Sequence, residues 1–111
     1  MIKTIKNMFP TSYLCVGNIT TPEGVEFITN CGADAGKLFI GPGAACTTKN
    51  YTGFTRPTVS TILDCMSSSK IPLIPDGGIR EIGDIAKAIC ASGGSTMVMV
   101  GAGTEIGRAH V

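Results

Sequence analysis

Apolar residues fall along this chain in short runs, separated by glycine-punctuated polar stretches and by segments of helical spacing. Ile2, Ile5 and Met8 recur at threefold spacing and predict the end of an amphipathic helix, stopped by Phe9-Pro10. Residues 13–16 (YLCV) form an apolar run of strand length, followed by Gly17-Asn18 and a loop. Thr20 and Glu23 stand three apart with Pro22 between them, the pattern of a capping box with proline in the first turn. The helix begun there carries Val25, Phe27 and Ile28 and ends at Cys31-Gly32, glycine being the usual residue past a helix end. Residues 37–40 (KLFI) predict the next strand, and Gly41 to Arg56 a long loop. Residues 58–67 read as a helix with Val59, Ile62, Leu63 and Met66 on one stripe. Residues 71–74 (IPLI) read as a strand ending in Pro75-Asp76-Gly77-Gly78. Residues 82–91 read as a helix with Ile82, Ile85, Ala86 and Ile89 inward, and residues 96–100 (TMVMV) as a strand ending at Gly101.

Strict alternation of helix and strand predicts an α/β fold. About four short, mostly apolar strands are what a parallel sheet covered on both faces requires. Each predicted strand ends in glycine with a polar or special residue, at Gly17-Asn18, Gly41-Pro42-Gly43, Asp76-Gly77-Gly78 and Gly101. Parallel α/β folds carry their ligands at those strand ends. Four strands do not close a barrel, which takes ~250 residues, so the chain reads as part of one. Residues 106–111 (IGRAHV) match the translation of a sequencing-library adapter and are read as a non-native tail, leaving 1–105 as the folded part. The only histidine, His110, lies in that tail, so no Ser–His or Cys–His couple is built on it.

Composition narrows the function. The 111 residues carry a net charge of +1 with no basic run, so the footprint of a nucleic-acid binder is missing. No apolar stretch approaches the ~18 residues that span a bilayer, so no membrane partner is expected. Five cysteines, an odd number with no CxxC pair, exclude a zinc framework or a disulfide scaffold and read as reduced, cytoplasmic thiols. Cys15, Cys31, Cys65 and Cys90 lie on strand or helix patterns and read as small hydrophobes. Cys46 lies instead in GPGAACTT (Gly41–Thr48), where small residues allow a tight, accessible loop. A thiolate there could be a nucleophile if its pKa were lowered or a base stood near, and residue types alone leave an inert cysteine equally open. IPDGGIR sets a carboxylate before two glycines, suited to a sugar diol and a phosphate, or merely to a turn.

KLFIGPGAACTT, PDGGIREIGDIAKAI, MVMVG and VGNITTPEGVEFITNCGADAGK together resemble the IMP dehydrogenase / GMP reductase family, in the family's order and over nearly all of residues 1–105. The resemblance implies the C-terminal half of a (β/α)₈ TIM barrel, strands 5–8. It implies that Cys46 attacks the purine 2-carbon to give a covalent thioimidate and that Thr48 helps activate water or the leaving ammonia. Asn18 would lie near the base and nicotinamide, and Asp76 would hold the ribose hydroxyls. Gly78 and Gly101 would lie along the phosphate, and Gly77 would also belong to the substrate site. Gly41, Gly43 and Cys46 would offer backbone carbonyls to a monovalent cation, potassium. The implied cofactor is NAD or NADPH, the ligands are IMP, XMP or GMP, and the assembly is a cytoplasmic homotetramer.

The chain departs from the family pattern at Ala44, where serine is usual, at Phe39, and in the short step from Gly101 to Ala102-Gly103-Thr104. Thr104 resembles the dehydrogenase, whereas Thr52-Gly53-Phe54 and Asp64-Cys65 resemble the reductase. Oxidation of IMP to XMP is the leading expectation, reduction of GMP to IMP and ammonia the second. The other class kept open is a truncated, non-catalytic nucleotide-binding remnant. The 111-residue piece alone is expected to be inactive, since half the barrel is missing.

Overall fold

A computed structural model describes residues 1–38, 48–93 and 97–101. Among these, five helices and three strands follow in the order α1 (Ile2–Met8), β1 (Cys15–Ile19), α2 (Pro22–Asn30), β2 (Ala35–Leu38), α3 (Thr48–Thr52), α4 (Thr58–Met66), β3 (Leu73–Pro75) and α5 (Ile82–Ala91). The strands form one parallel sheet in the order β1-β2-β3. Parallel neighbours in chain order, joined by right-handed crossovers, bring successive helices to the same face. Accordingly α2 packs on α4 and α4 on α5. The α/β class is as the sequence predicts, and an unreversed strand order is that of a barrel wall.

The fourth expected strand is reduced among the described residues to a single parallel bridge, Asp76 with Met99, in which the Met99 amide donates to the Pro75 carbonyl at 2.7 Å. The other strands are shifted from their expected positions. β1 runs through Gly17 and Asn18, which the hydrophobic pattern assigns to a loop, because Gly17 pairs with Lys37 and Ile19 with Leu38. β2 starts at Ala35, before the apolar run, and β3 ends on Pro75. The long loop expected from Gly41 to Arg56 contains the short helix α3.

Strand alternation sorts β2 and β3. A Cβ on Gly36 would meet Leu73, Ile28 and Ile19 side chains at 3.0–3.5 Å, so Gly36 lies on the face covered by helices. Leu38, Leu73 and Pro75 share that face and are fully buried with Val25, Ile62 and Cys65. Lys37, Ile74 and Asp76 fall on the opposite face.

Several helix expectations are corrected. The α2 cap is Thr21, whose hydroxyl accepts from the Gly24 amide at 3.1 Å, and not Thr20. Phe27 is exposed. Helix α4 turns Thr61, Ile62 and Cys65 inward, leaving Val59 and Leu63 half exposed. Thr61 is accommodated because its hydroxyl donates to the Pro57 carbonyl at 2.8 Å. In α5 the inward residue is Ala88, with Ile85 packed against the core, while Ile82 and Ala86 are exposed. The corrections of facing share one cause. The inward stripe is fixed by where the helix meets its neighbour, and a wide apolar face leaves that choice open.

Candidate functional site

The C-terminal ends of the strands collect the polar residues. Asn18 is exposed near the end of β1. From β2, the Lys37 ammonium forms an ion pair with Asp76 Oδ2 at 2.6 Å, both side chains being about three-quarters buried (29% and 24% exposed). The Asp76 amide donates to the Leu38 carbonyl at 3.1 Å, so the residue stays registered to the sheet one position beyond β3. Gly77 and Gly78 follow with φ of +103° and +73°, a backbone that side chains disfavour. Glycine adopts this left-handed backbone without the steric cost that a Cβ brings. Gly101, exposed, lies two residues beyond the Met99 bridge.

The segment after α3 is tied to the same end of the sheet. Arg56 donates from one guanidinium nitrogen to the Thr20 carbonyl and from another to Asp64 Oδ2 at 2.8 Å. Thr48 is the first residue of α3. Its side chain lies outside the described residues, as do Cys46, Gly41, Gly43, Ala44 and the tail 106–111 with His110.

Of the sequence-predicted residues, the structure therefore gathers Asn18, Asp76, Gly77, Gly78 and Gly101 at one edge of the sheet. Lys37 was not among them. Its signal was available, as the charged residue opening an otherwise apolar strand run. Arg56 was likewise unmarked, and only the fold brings it to Thr20.

The other cysteines divide. Cys65 is fully buried, and loss of solvation pushes its thiol pKa up, which keeps it protonated and inert. Cys15 and Cys90 are exposed rather than core residues. Cys15 alternates with Val16, which takes the core-facing position on an edge strand. Among the described residues no group of three or more His, Cys, Asp or Glu side chains could hold a metal ion, and no helix is long and apolar enough to cross a membrane.

Parallel α/β sheets carry their ligands at the carboxyl ends of their strands, the end at which Asp76 and the paired glycines stand. A sequence profile of the IMP dehydrogenase / GMP reductase domain matches residues 1–106, and the chain belongs to that family of purine-nucleotide oxidoreductases. It is 52% identical over 101 residues to a GMP reductase of Chromobacterium violaceum, covering 91% of this chain and 31% of that protein. It is 50% identical over 103 residues to GMP reductase of Staphylococcus aureus, again 91% and 31%. With an inosine-5'-monophosphate dehydrogenase of Chlorobaculum tepidum it shares 45% identity over 109 residues, 95% of this chain and 22% of that protein. The chain thus spans less than a third of the length of these relatives.

Proposed function

We propose that the protein carrying this chain is an oxidoreductase of purine nucleoside monophosphates that reduces GMP to IMP and ammonia through a thioimidate on Cys46. One observation carries the nucleotide reading: a family member has an Asp76 carboxylate at the strand ends, followed by two left-handed glycines and paired with Lys37. The reductase is favoured over the dehydrogenase expected from Thr104 by the 52% and 50% identities to reductases, against 45% to a dehydrogenase. Thr52-Gly53-Phe54 and Asp64-Cys65 argue the same way. Oxidation of IMP to XMP is the second reading, favoured by Ala102-Gly103-Thr104.

In this mechanism Asp76 accepts a hydrogen bond from a ribose hydroxyl. Gly77 and Gly78 let backbone amides approach the phosphate, with Gly101 on its other side. Asn18 lies beside the base. The Cys46 thiolate adds to the purine 2-carbon, the amino group departs as ammonia with a proton passed through the Thr48 hydroxyl, and once hydride has been delivered to that carbon the carbon–sulfur bond breaks, returning the thiolate and releasing IMP. A covalent adduct divides one difficult substitution into two easier steps. The nicotinamide of NADPH, or of NAD in the dehydrogenase reading, supplies or removes hydride at that carbon when bound. Apart from Asn18, which would also lie near the nicotinamide, no described residue is assigned to the dinucleotide. The carbonyls of Gly41, Gly43 and Cys46, which a potassium ion would take, lie outside the described residues, and no step is derived through either group. We take β1, β2, β3 and the Met99 segment as strands 5–8 of a (β/α)₈ barrel in a cytoplasmic homotetramer, with residues 1–105 as its C-terminal half and 106–111 as foreign to it.

The test uses the full-length protein. Cys46→Ala is expected to cut turnover at least about a thousandfold, as removal of a covalent nucleophile does, while GMP still binds. Retained turnover rejects the thioimidate. Comparing GMP plus NADPH with IMP plus NAD in the unsubstituted enzyme decides between reductase and dehydrogenase.

A further inference from the structure

Lys37 is held at the mouth from two sides. On one side, a Cβ added to Gly17 would lie 2.6 Å from Lys37 Cβ and 2.9 Å from the Lys37 carbonyl oxygen, so β1 gives up its side chain where Lys37 passes. On the other side, the ammonium reaches Asp76 Oδ2 at 2.6 Å across to the end of β3. The register sets Lys37 beside Ile74, two residues before Asp76, so both charged residues lie on the face turned away from the helices. Among the described residues Asp76 Oδ1 has no protein partner, whereas Oδ2 is taken by Lys37.

A carboxylate at a strand end turns about its last bond, and its two oxygens are equivalent until something distinguishes them. An ammonium on one oxygen leaves a single orientation, with the other oxygen directed to a ligand. An ordered acceptor binds better than a mobile one because less freedom is lost on binding.

We propose that Lys37 is the positioning residue for Asp76. Its ammonium pins Oδ2 so that Oδ1 accepts a ribose hydroxyl, and the pair thereby sets the preference for ribonucleotides over deoxyribonucleotides. The proposal rests on the nucleotide reading above, and the test separates the two.

In the full-length protein, dissociation constants are measured by calorimetry for GMP and for its 2′-deoxy and 3′-deoxy counterparts. The variants are Lys37→Gln, Lys37→Met, Lys37→Arg, Asp76→Asn and the Lys37→Gln/Asp76→Asn double variant. Lys37→Gln is expected to weaken GMP binding on the order of tenfold. One deoxynucleotide, the one lacking the hydroxyl that Asp76 holds, should be unaffected, so its disadvantage against GMP disappears. Lys37→Met should behave like Lys37→Gln, and Lys37→Arg should retain most of the preference. In the Asp76→Asn background Lys37→Gln should add nothing. Equal losses for all three nucleotides, or a full loss repeated in the Asp76→Asn background, would overturn the positioning role. So would a silent Lys37→Gln beside a normal Asp76→Asn loss, which leaves the nucleotide reading intact. An unsubstituted protein that binds no purine nucleotide overturns both, and one that binds all three equally overturns the positioning role alone.

Discussion

The two ends of the sheet each hold a lysine–aspartate pair at 2.6 Å, Lys6 with Asp34 at the start of β2 and Lys37 with Asp76 just past β3. At the first end the partners are structural. Asp34 Oδ2 also accepts from the Leu14 amide at 2.7 Å, the Asp34 amide donates to the Leu14 carbonyl at 2.9 Å, and Lys6 donates to the Ser12 carbonyl at 2.9 Å. That carboxylate staples α1 and the entry of β1 to the entry of β2. Asp76 uses its side chain on one ammonium and is followed by two left-handed glycines. The same ion pair is thus a fastening where backbone amides share it, and a candidate binding group where they do not. In parallel α/β folds that division follows the strand direction, with ligands at carboxyl ends and stability at amino ends.

Substitutions at the two ends should separate affinity from stability. Asp76→Ala is expected to weaken nucleotide binding by about 1.5–3 kcal/mol, the range for a hydrogen bond to a charged group, with little change in melting temperature. Calorimetric titration of GMP checks this, and unchanged affinity would remove Asp76 from the site. Gly17→Ala tests how tightly the mouth is built. The new methyl meets Lys37 Cβ and backbone, and overpacking of this kind costs about 1–3 kcal/mol. Denaturant unfolding should register that loss, together with weaker GMP binding because Lys37 is displaced.

Asp34→Ala should do the reverse, lowering the melting temperature by roughly a few degrees while the folded protein keeps its nucleotide affinity. A loss of affinity matching that of Asp76→Ala would erase the contrast between the ends.

The smallest expected effect is the response to acid. The Lys6 ammonium first, and the Leu14 amide next, hold the Asp34 carboxyl below its ordinary 3.8, and the Glu81 and Arg80 amides do the same for Asp84 at the start of α5. A carboxylate depressed in the folded state contributes stability above its unfolded value and loses it as pH falls through the folded one. Melting temperatures should therefore fall as pH drops below about 4, and Asp34→Asn should flatten part of that slope. An unchanged slope would mean the staple at the amino end is too exposed to matter.

Much of the fold was legible, and the residues show why some of it was not. The three main helices begin and end within a residue or two of their expected bounds, because proline, glycine and apolar period are local signals. The strands slipped by about two residues, since pairing decides where a strand starts. Gly17 and Asn18 look like a loop until Lys37 lies opposite Gly17 and Leu38 opposite Ile19. The spacing of Thr20 and Glu23 predicts Thr20 as the helix cap, yet Thr21 caps α2, and the Thr20 carbonyl accepts from Arg56, 36 residues away. No local pattern carries a contact of that separation.

For the site, the sequence by itself determined the inventory: Asp76-Gly77-Gly78 after an apolar run, Cys46 among small residues, and motifs specific enough to name a family. These depend on residue identity and on spacing along one strand or turn. Only the tertiary structure decided that Lys37 belongs with Asp76, that Gly17 makes room for it, and that the equally charged Asp34 is a fastening instead. Which oxygen meets which ammonium depends on register between strands and on alternation across a sheet, and both are settled by packing between distant segments.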